Sequence, residues 1–292
     1  MTGPAPFTAA CIQLRSTGDV AENIRQTSAF VREAAAGGAR FIATPENTNI
    51  MAQDNRAKLA ATFDEAADPS LPAFASLAKE LGVWLSIGSL HIKVSPEKTA
   101  NRSFLFAPDG TIRARYDKIH LFDVTVSTGE SYRESSQVEG GHEAVLADTE
   151  FGTVGITVCY DLRFPQLYRK LAKKGAFAFT IPSAFTVPTG EAHWHVLLRA
   201  RAIENGAFVI APAQGGLHAN GRKTYGHSLI VAPWGEILAE GGVEPGVFLA
   251  RIDPSRVETA RKTVPSLQHG RRFGIADPKA GPEHLHLVRG SA

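Results

Sequence analysis

The sequence predicts an α/β protein built on a mixed sheet or on two packed sheets. Three observations carry that expectation. Capped amphipathic stretches alternate with short apolar runs, the pattern of strand–helix–strand crossovers, while other apolar runs are joined by tight turns, as in hairpins. Of 292 residues, 43% are hydrophobic and 21% charged, enough apolar material for a large core. No repeat, low-complexity tract or composition break marks a boundary, so residues 1–292 read as one domain with a basic, irregular tail from about residue 254.

The elements follow in order. Asp19, with Glu22 three residues on, has the form of a helix cap, and Ile24, Ser28, Val31 and Ala35 share a face until Gly37 and Gly38 stop it. Residues 41–44 read as a short buried strand ending at Pro45. Residues 70–81 repeat the helical pattern through Leu71, Phe74, Leu77, Ala78 and Leu81, with Gly82 as terminator. A strand over 83–92 follows, then a hairpin of 104–106 and 111–116 around Ala107-Pro108-Asp109-Gly110. In the second half, Val154, Ile156 and Val158 alternate with Thr153, Gly155 and Thr157, a strand running directly into Cys159. Helices are expected over 166–173 and over 191–205, the latter closed by Gly206. Strands are expected over 176–181, 207–211, 227–232, 237–239 and 247–252, two of them joined by Pro233-Trp234-Gly235. One short helix follows Asp253.

Composition narrows the function. Thirty-one Lys and Arg against 29 Asp and Glu give +2, without the basic excess that neutralises phosphates, so no nucleic-acid partner is expected. No run of 18 apolar residues and no signal-peptide pattern occurs, so neither a membrane span nor export is expected. Cys11 and Cys159 are too few for a disulfide framework or a cysteine-based zinc site, and a cytoplasmic protein with reduced thiols is the expectation.

Three polar residues stand where strands end: Glu46 after 41–45, Lys118 after 111–116 and Cys159 after 153–158. Ligand sites in α/β proteins lie beyond the carboxyl ends of strands, so the three can share a pocket. A thiol is a poor nucleophile until deprotonated. A carboxylate can take its proton, and an ammonium with the Tyr160 N–H can hold the oxyanion that attack on a carbonyl creates. Alone, each residue has an ordinary reading: a cap or ion-pair partner, a surface lysine, a buried small hydrophobe.

The stretches Ala43-Thr44-Pro45-Glu46-Asn47, Tyr116-Asp117-Lys118-Ile119-His120-Leu121-Phe122-Asp123 and Gly155-Ile156-Thr157-Val158-Cys159-Tyr160-Asp161-Leu162-Arg163-Phe164-Pro165 resemble, in order and spacing, the three signature segments of the nitrilase superfamily, the carbon–nitrogen hydrolases. The resemblance spans about residues 7–273. It implies a four-layer α-β-β-α sandwich with two mixed sheets, assembled as a homodimer or higher homo-oligomer. It implies Glu46 as general base, Lys118 as oxyanion clamp and Cys159 as nucleophile. A second pocket glutamate that orients the lysine matches Glu134, in Tyr132-Arg133-Glu134-Ser135, with Glu130 as its rival. Pro182-Ser183-Ala184-Phe185, Ala192-His193-Trp194, Leu197-Leu198-Arg199-Ala200-Arg201-Ala202-Ile203-Glu204, Tyr225-Gly226-His227-Ser228 and Pro233-Trp234-Gly235 resemble the Nit subgroup. That subgroup holds an amidase acting on deaminated glutathione and an omega-amidase acting on 2-oxo acid amides. Ser183 and the Arg-Ala-Arg-Ala-Ile-Glu run are more similar to the first. His195 departs from the animal enzymes, which typically carry Glu there. Arg163, Ser183, Phe185 and His195 are the candidates for contacting substrate, Arg163 having a structural ion pair as its other reading.

The implied function is a thiol amidase that releases ammonia from a small 2-oxo acid amide, deaminated glutathione first, through a Cys159 thioester, as a metabolite-repair enzyme with no metal and no organic cofactor. The alternatives are an omega-amidase on 2-oxoglutaramate or 2-oxosuccinamate, another amidase or N-carbamoyl hydrolase of the family, and a non-catalytic binding protein with the same fold. His120, His193, His195 and His227 would be the bases of a competing Cys–His dyad. His193 and His195 sit at i and i+2 of an expected helix, about 200° apart, so they do not form a metal pair. The basic segment after Asp253 has too few apolar residues for its own core and is expected to pack, over 257–273, against a two-fold-related subunit.

Overall fold

Alternation along the strands explains the layers. In Phe7–Gln13, the side chains of Phe7, Ala9 and Cys11 enter one apolar cluster and those of Ala10 and Ile12 another; Phe41 and Ala43 part from Ile42 in the same way. A strand apolar on both sides must be covered on both sides. The computed structural model, which describes residues 4–125 and 131–275, supplies the two covers. The helices Val20–Ala36 and Ser70–Leu81 close one side through Val31, Ala34, Phe74, Leu77 and Ala78. A second sheet closes the other through Val154, Ile156 and Val158, and is itself backed by Pro165–Lys173 and Val187–Asn205 through Leu167, Leu171, Trp194 and Leu198. The result is the four-layer α-β-β-α sandwich.

Both sheets are mixed. The first runs Gly246–Ile252, Phe7–Gln13, Ala39–Ala43, Trp84–Lys93, Thr99–Phe106, Ile112–Asp117, with Val138–Glu139 beside Thr99–Phe106. The second runs Ile237–Glu240, Leu229–Val231, Phe208–Ala211, Ala178–Thr180, Gly152–Ile156, Val145–Thr149. Each has a parallel centre, Phe7–Gln13 with Ala39–Ala43 and Trp84–Lys93 in one, Gly152–Ile156 with Ala178–Thr180 and Phe208–Ala211 in the other. Ile112–Asp117 is two antiparallel steps from Trp84–Lys93 and so points the same way. The chain therefore leaves Ala39–Ala43 toward Glu46 and Ile112–Asp117 toward Lys118 at one end of the first sheet.

Three expectations change. The first helix is capped by Asp19 as expected, but it buries Asn23, Thr27, Val31 and Ala34, a face rotated from the one read off the apolar residues. Asn23 turns inward because its side chain satisfies loop backbone, donating to the carbonyls of Thr17 at 2.9 Å and Asn49 at 2.8 Å. A helix at Asn55–Ala61, capped by Asp54, was not foreseen; it buries no side chain completely, Lys58 being partly buried, and so lacks an apolar period. The helix Ser255–Thr263 buries Val257 and Ala260 on its own chain, and Arg261 donates to the carbonyls of Asn205 at 3.1 Å and Ala176 at 2.6 Å. This part of the tail thus has an intrachain partner, whereas Phe273 is exposed. No helix among the described residues is long and apolar enough to cross a membrane.

Gly88 lies tightly between the Thr44–Pro45 backbone of the first sheet and Pro182 beyond the second. A Cβ there would lie 2.0 Å from the Thr44 carbonyl oxygen, 2.5 Å from that of Pro45 and 2.4 Å from the Pro182 side chain. Two of these are backbone atoms and cannot swing away. Gly88→Ala should lower the unfolding free energy by about 1–3 kcal/mol or more, read by denaturant unfolding. Stability within a few tenths of a kcal/mol of wild type would show that this contact is not a constraint.

Candidate active site

Each strand end delivers one side chain to a common pocket lined by Glu46, Lys118, Glu134, Cys159, Tyr160, Arg163 and Phe185, among others. Glu46 and Lys118 are almost wholly buried, and a buried charge requires a partner. The Lys118 ammonium donates to Glu46 Oε1 at 2.9 Å, to Glu134 Oε1 at 3.0 Å and to Glu134 Oε2 at 2.8 Å, using its three N–H bonds. Asn101, in the strand Thr99–Phe106, bridges the two acids, donating to Glu46 Oε1 at 3.0 Å and Glu134 Oε1 at 3.2 Å. The Phe122 N–H fixes Glu134 Oε2 at 2.7 Å. Glu130 lies outside the described residues.

Cys159 opens a 3₁₀ turn, Cys159–Arg163, at φ +49°, a left-handed conformation uncommon for a residue with a side chain. Its N–H is held by the Pro182 carbonyl at 2.8 Å. Two residues on, buried Asp161 accepts from the Val158 N–H at 2.9 Å, the Tyr116 hydroxyl at 2.6 Å, and the His120 N–H and Nδ1 at 3.1 and 2.7 Å. Asp161 therefore ties the segment carrying Lys118 to the segment carrying Cys159.

The electrostatics follow from this packing. Burial works against the charge on Glu46, but the Lys118 ammonium outweighs it and holds the carboxyl below its usual range. Burial likewise opposes charge on Lys118, and Glu134 and Glu46 outweigh it, keeping the amine well above its usual pKa. Burial first, and then the negative charge of Glu46, push the Cys159 thiol up despite Lys118. The resting site therefore pairs a neutral thiol with a carboxylate that can accept its proton.

The remaining residues divide. Arg163 lines the pocket; its guanidinium meets His193 Nδ1 at 3.3 Å and lies 5.5 Å from the centre of the Phe185 ring, so its partners differ from the acid expected of an ion pair. Phe185 lines the pocket too. Ser183 does not: it is fully buried, with its hydroxyl on the Ile181 carbonyl at 3.1 Å. His195 does not either, because Trp194 turns inward beside it and leaves His195 facing Glu240, at 2.8 Å. None of His120, His193, His195 and His227 lines the pocket, and His120 is occupied by Asp161 and stacked on Phe164. Asn101, Lys58 and Arg222 escaped the sequence reading. Lys58 stands on the unforeseen helix, where burial lowers its amine to about 8 despite the nearby Glu134. Arg222 donates through Nη2 to the Ala184 carbonyl at 2.6 Å, and its buried Nε has no hydrogen-bond partner among the described residues. The pocket wall carries five cations, Lys58, Lys118, Arg133, Arg163 and Arg222, against the acids Glu46, Asp54 and Glu134. Its cavity of about 260 Å³ suits a small anionic ligand.

Comparison with known proteins follows the same line. Residues 8–262 match the family model described as carbon-nitrogen hydrolase. The chain is 40% identical over 268 residues to a deaminated glutathione amidase of Synechocystis sp., covering 90% of this chain and 98% of that one. It is 39% identical over 271 residues to the Homo sapiens deaminated glutathione amidase, covering 91% and 82%. The fold superposes on the crystal structure of the C. elegans NitFhit protein with a TM-score of 0.87 at 34% identity, covering 92% of this chain and 66% of the other.

Lys118 holds two carboxylates that would otherwise repel each other in a dry site. Lys118→Met should cost about 3–5 kcal/mol of stability at pH 7. Because Glu46 titrates below its ordinary 4.5 in the folded state, its contribution is complete above that pH and is lost as the pH falls through the lower, folded value. The gap between wild type and Lys118→Met should therefore narrow on acidification below about 4.5 in denaturant titrations, and a gap independent of pH would contradict the ionised pair.

Proposed function

The chain belongs to the carbon–nitrogen hydrolase family and is an amidase, and on that premise we propose that it hydrolyses deaminated glutathione through a thioester on Cys159. The observation that supports this is the meeting of buried Glu46, Lys118 and Cys159 with partly buried Glu134 in one pocket with a cationic wall. In this reading Glu46 accepts the thiol proton as Sγ attacks the amide carbon. The thiol is neutral at rest, so attack and proton transfer are coupled. The oxyanion is held by the Lys118 ammonium and the Tyr160 N–H. Since Lys118 already spends three N–H bonds on carboxylate oxygens, the oxyanion must take a share of one as charge moves off Glu46. Collapse breaks the C–N bond, and Glu46 returns its proton to the departing nitrogen. Water then attacks the thioester, giving its proton to Glu46, and the thiol leaves reprotonated. Glu134 acts as a positioning residue for Lys118, and Asn101 for both acids.

The leaving group needs correcting. In deaminated glutathione the amide nitrogen belongs to cysteinylglycine, so the products are 2-oxoglutarate and that dipeptide; ammonia is the product only of an unsubstituted amide such as 2-oxoglutaramate. The 2-oxo acid carboxylate is assigned to Arg222 and Arg163, and the cytoplasm suits two unpaired, buried cysteines. A homodimer is proposed through the exposed side of Val187–Asn205, where Val196 and Ile203 stand out near Trp234.

The test is 2-oxoglutarate release, common to both substrates. Deaminated glutathione should exceed 2-oxoglutaramate in kcat/KM by about tenfold or more, a difference of about 1.4 kcal/mol. Cys159→Ala should be inactive yet folded, and Cys11→Ala active. Preference for 2-oxoglutaramate would shift the assignment to an omega-amidase, and full activity of Cys159→Ala would end the covalent scheme. Arg222→Met should raise KM for both 2-oxo acid amides about tenfold or more, from a charge-assisted bond of ~1.5–3 kcal/mol, and leave neutral short amides little changed. Equal losses on charged and neutral substrates would make Arg222 structural. For assembly, Val196→Glu with Ile203→Glu should sediment as a monomer, whereas an unchanged dimer would place the interface elsewhere.

A further inference from the structure

On the side of Val187–Asn205 away from the pocket, three metal-capable side chains from three elements converge. His195 comes from that helix, His227 from the loop before Leu229–Val231, and Glu240 from the end of the edge strand Ile237–Glu240. One carboxylate oxygen, Glu240 Oε1, meets His195 Nε2 at 2.8 Å and His227 Nδ1 at 3.3 Å, and all three ligand atoms lie within 4.8 Å of one another. A tetrahedral zinc with bonds of about 2.0–2.1 Å spaces its ligand atoms about 3.3 Å apart, so small side-chain rotations would bring this trio onto an ion.

A second feature sets it apart from an ordinary surface ion pair. His227 is held at φ +55°, a conformation rare for a side-chain-bearing residue, and the surroundings over-determine it. Its N–H donates to the Gly242 carbonyl at 2.7 Å, its carbonyl accepts from Trp194 Nε1 at 2.7 Å, and its ring stacks on Tyr225 with centroids 4.4 Å apart. That backbone strain turns the imidazole toward Glu240 and His195. His193, two residues from His195, goes instead to Arg163, so helical spacing alone forms no pair, while the tertiary fold supplies the other two ligands.

We propose that His195, His227 and Glu240 form a binding site for one divalent late first-row transition ion, of which zinc is the probe. Two imidazoles and one carboxylate suit such ions, and half-exposure leaves the fourth position to water. The ion would tie the edge strand of the second sheet to the helix whose Trp194 packs on Phe185, in the pocket wall. The proposal does not depend on the substrate assignment, and it replaces the expectation that the chain holds no metal.

The experiment is calorimetric titration of tag-free, chelator-treated protein with zinc, repeated on His195→Gln, Glu240→Gln, His193→Gln and Cys159→Ala. One ion per chain is expected. His195→Gln and Glu240→Gln should each weaken binding by about tenfold or more, since even the loss of an outer-sphere partner does so. Glu240→Gln is the sharper variant, because glutamine still accepts hydrogen bonds from both imidazoles but is a poor ligand. His193→Gln and Cys159→Ala should bind as wild type, and zinc should raise the Tm of these two and not of the ligand variants. Absence of saturable binding would leave a hydrogen-bonded trio only, and binding lost in Cys159→Ala but kept in Glu240→Gln would place the ion in the catalytic pocket; either result overturns the proposal.

Discussion

The constraint on which the rest of the structure depends is the burial of one ammonium between two carboxylates. Lys118, Glu46 and Glu134 sum to −1, with Lys118 and Glu46 buried and Glu134 partly so, and that arrangement is favourable only when every partner is in place. The fold meets the condition by taking Glu46 and Lys118 from the ends of two strands of the first sheet that point the same way, Asn101 from Thr99–Phe106, one of the two strands between them, and a loop N–H, that of Phe122, for the outer acid. Remove the lysine and two like charges face each other; remove Asn101 and both lose a donor.

Cys159 comes from the other sheet, so the two sheets must be held in register at this end for it to meet Glu46 and Lys118. Several polar contacts do so. Asp161 joins Val158 to Tyr116 and His120. Gln214, between the sheets, donates to the carbonyl of Glu46 at 2.9 Å and accepts from the Ser16 N–H at 3.0 Å. Gly88 allows Thr44, Pro45 and Pro182 to approach, and the Pro182 carbonyl in turn holds Cys159. The apolar cluster between the sheets supplies most of the adhesion but tolerates sliding, because burial is non-directional. Directional hydrogen bonds fix the offset that brings Cys159 into the pocket with Glu46 and Lys118.

This division explains what the sequence disclosed. The helix Ser70–Leu81 was legible to the residue because an apolar period and a left-handed Gly82 both mark it. That Glu46, Lys118 and Cys159 share a pocket was legible because each follows a strand inside a recognisable segment. Residues whose role depends on tertiary convergence were not. Asn101 is an asparagine in a strand, Arg222 an arginine in a turn-rich loop, and Lys58 belongs to a helix with no buried face. His195 was read as a substrate contact because it departs from the Glu of the related animal enzymes, yet on this helix Trp194 goes inward and His195 turns to Glu240. The first helix was misread by about one position because polar Asn23 is buried to serve loop backbone, a demand invisible to any count of apolar residues.

The two cysteines show how little of the chemistry resides in the thiol. Both are buried and both have thiols pushed up by burial, so neither is a thiolate at rest. Cys11 lies inside Phe7–Gln13 at zero exposure, and its sulfur contacts the Leu229 carbonyl at 3.6 Å, an acceptor that cannot take a proton. Cys159 stands just past its strand at positive φ, opens onto the pocket, and faces a carboxylate that Lys118 keeps ionised. In the proposed mechanism the Cys159 proton passes to Glu46 as a carbonyl is attacked, and the negative charge that leaves Glu46 reappears on an oxygen beside the same lysine. That proposed step would leave the net charge of the cluster constant, and preorganised partners can sustain such a transfer without rearranging their surroundings.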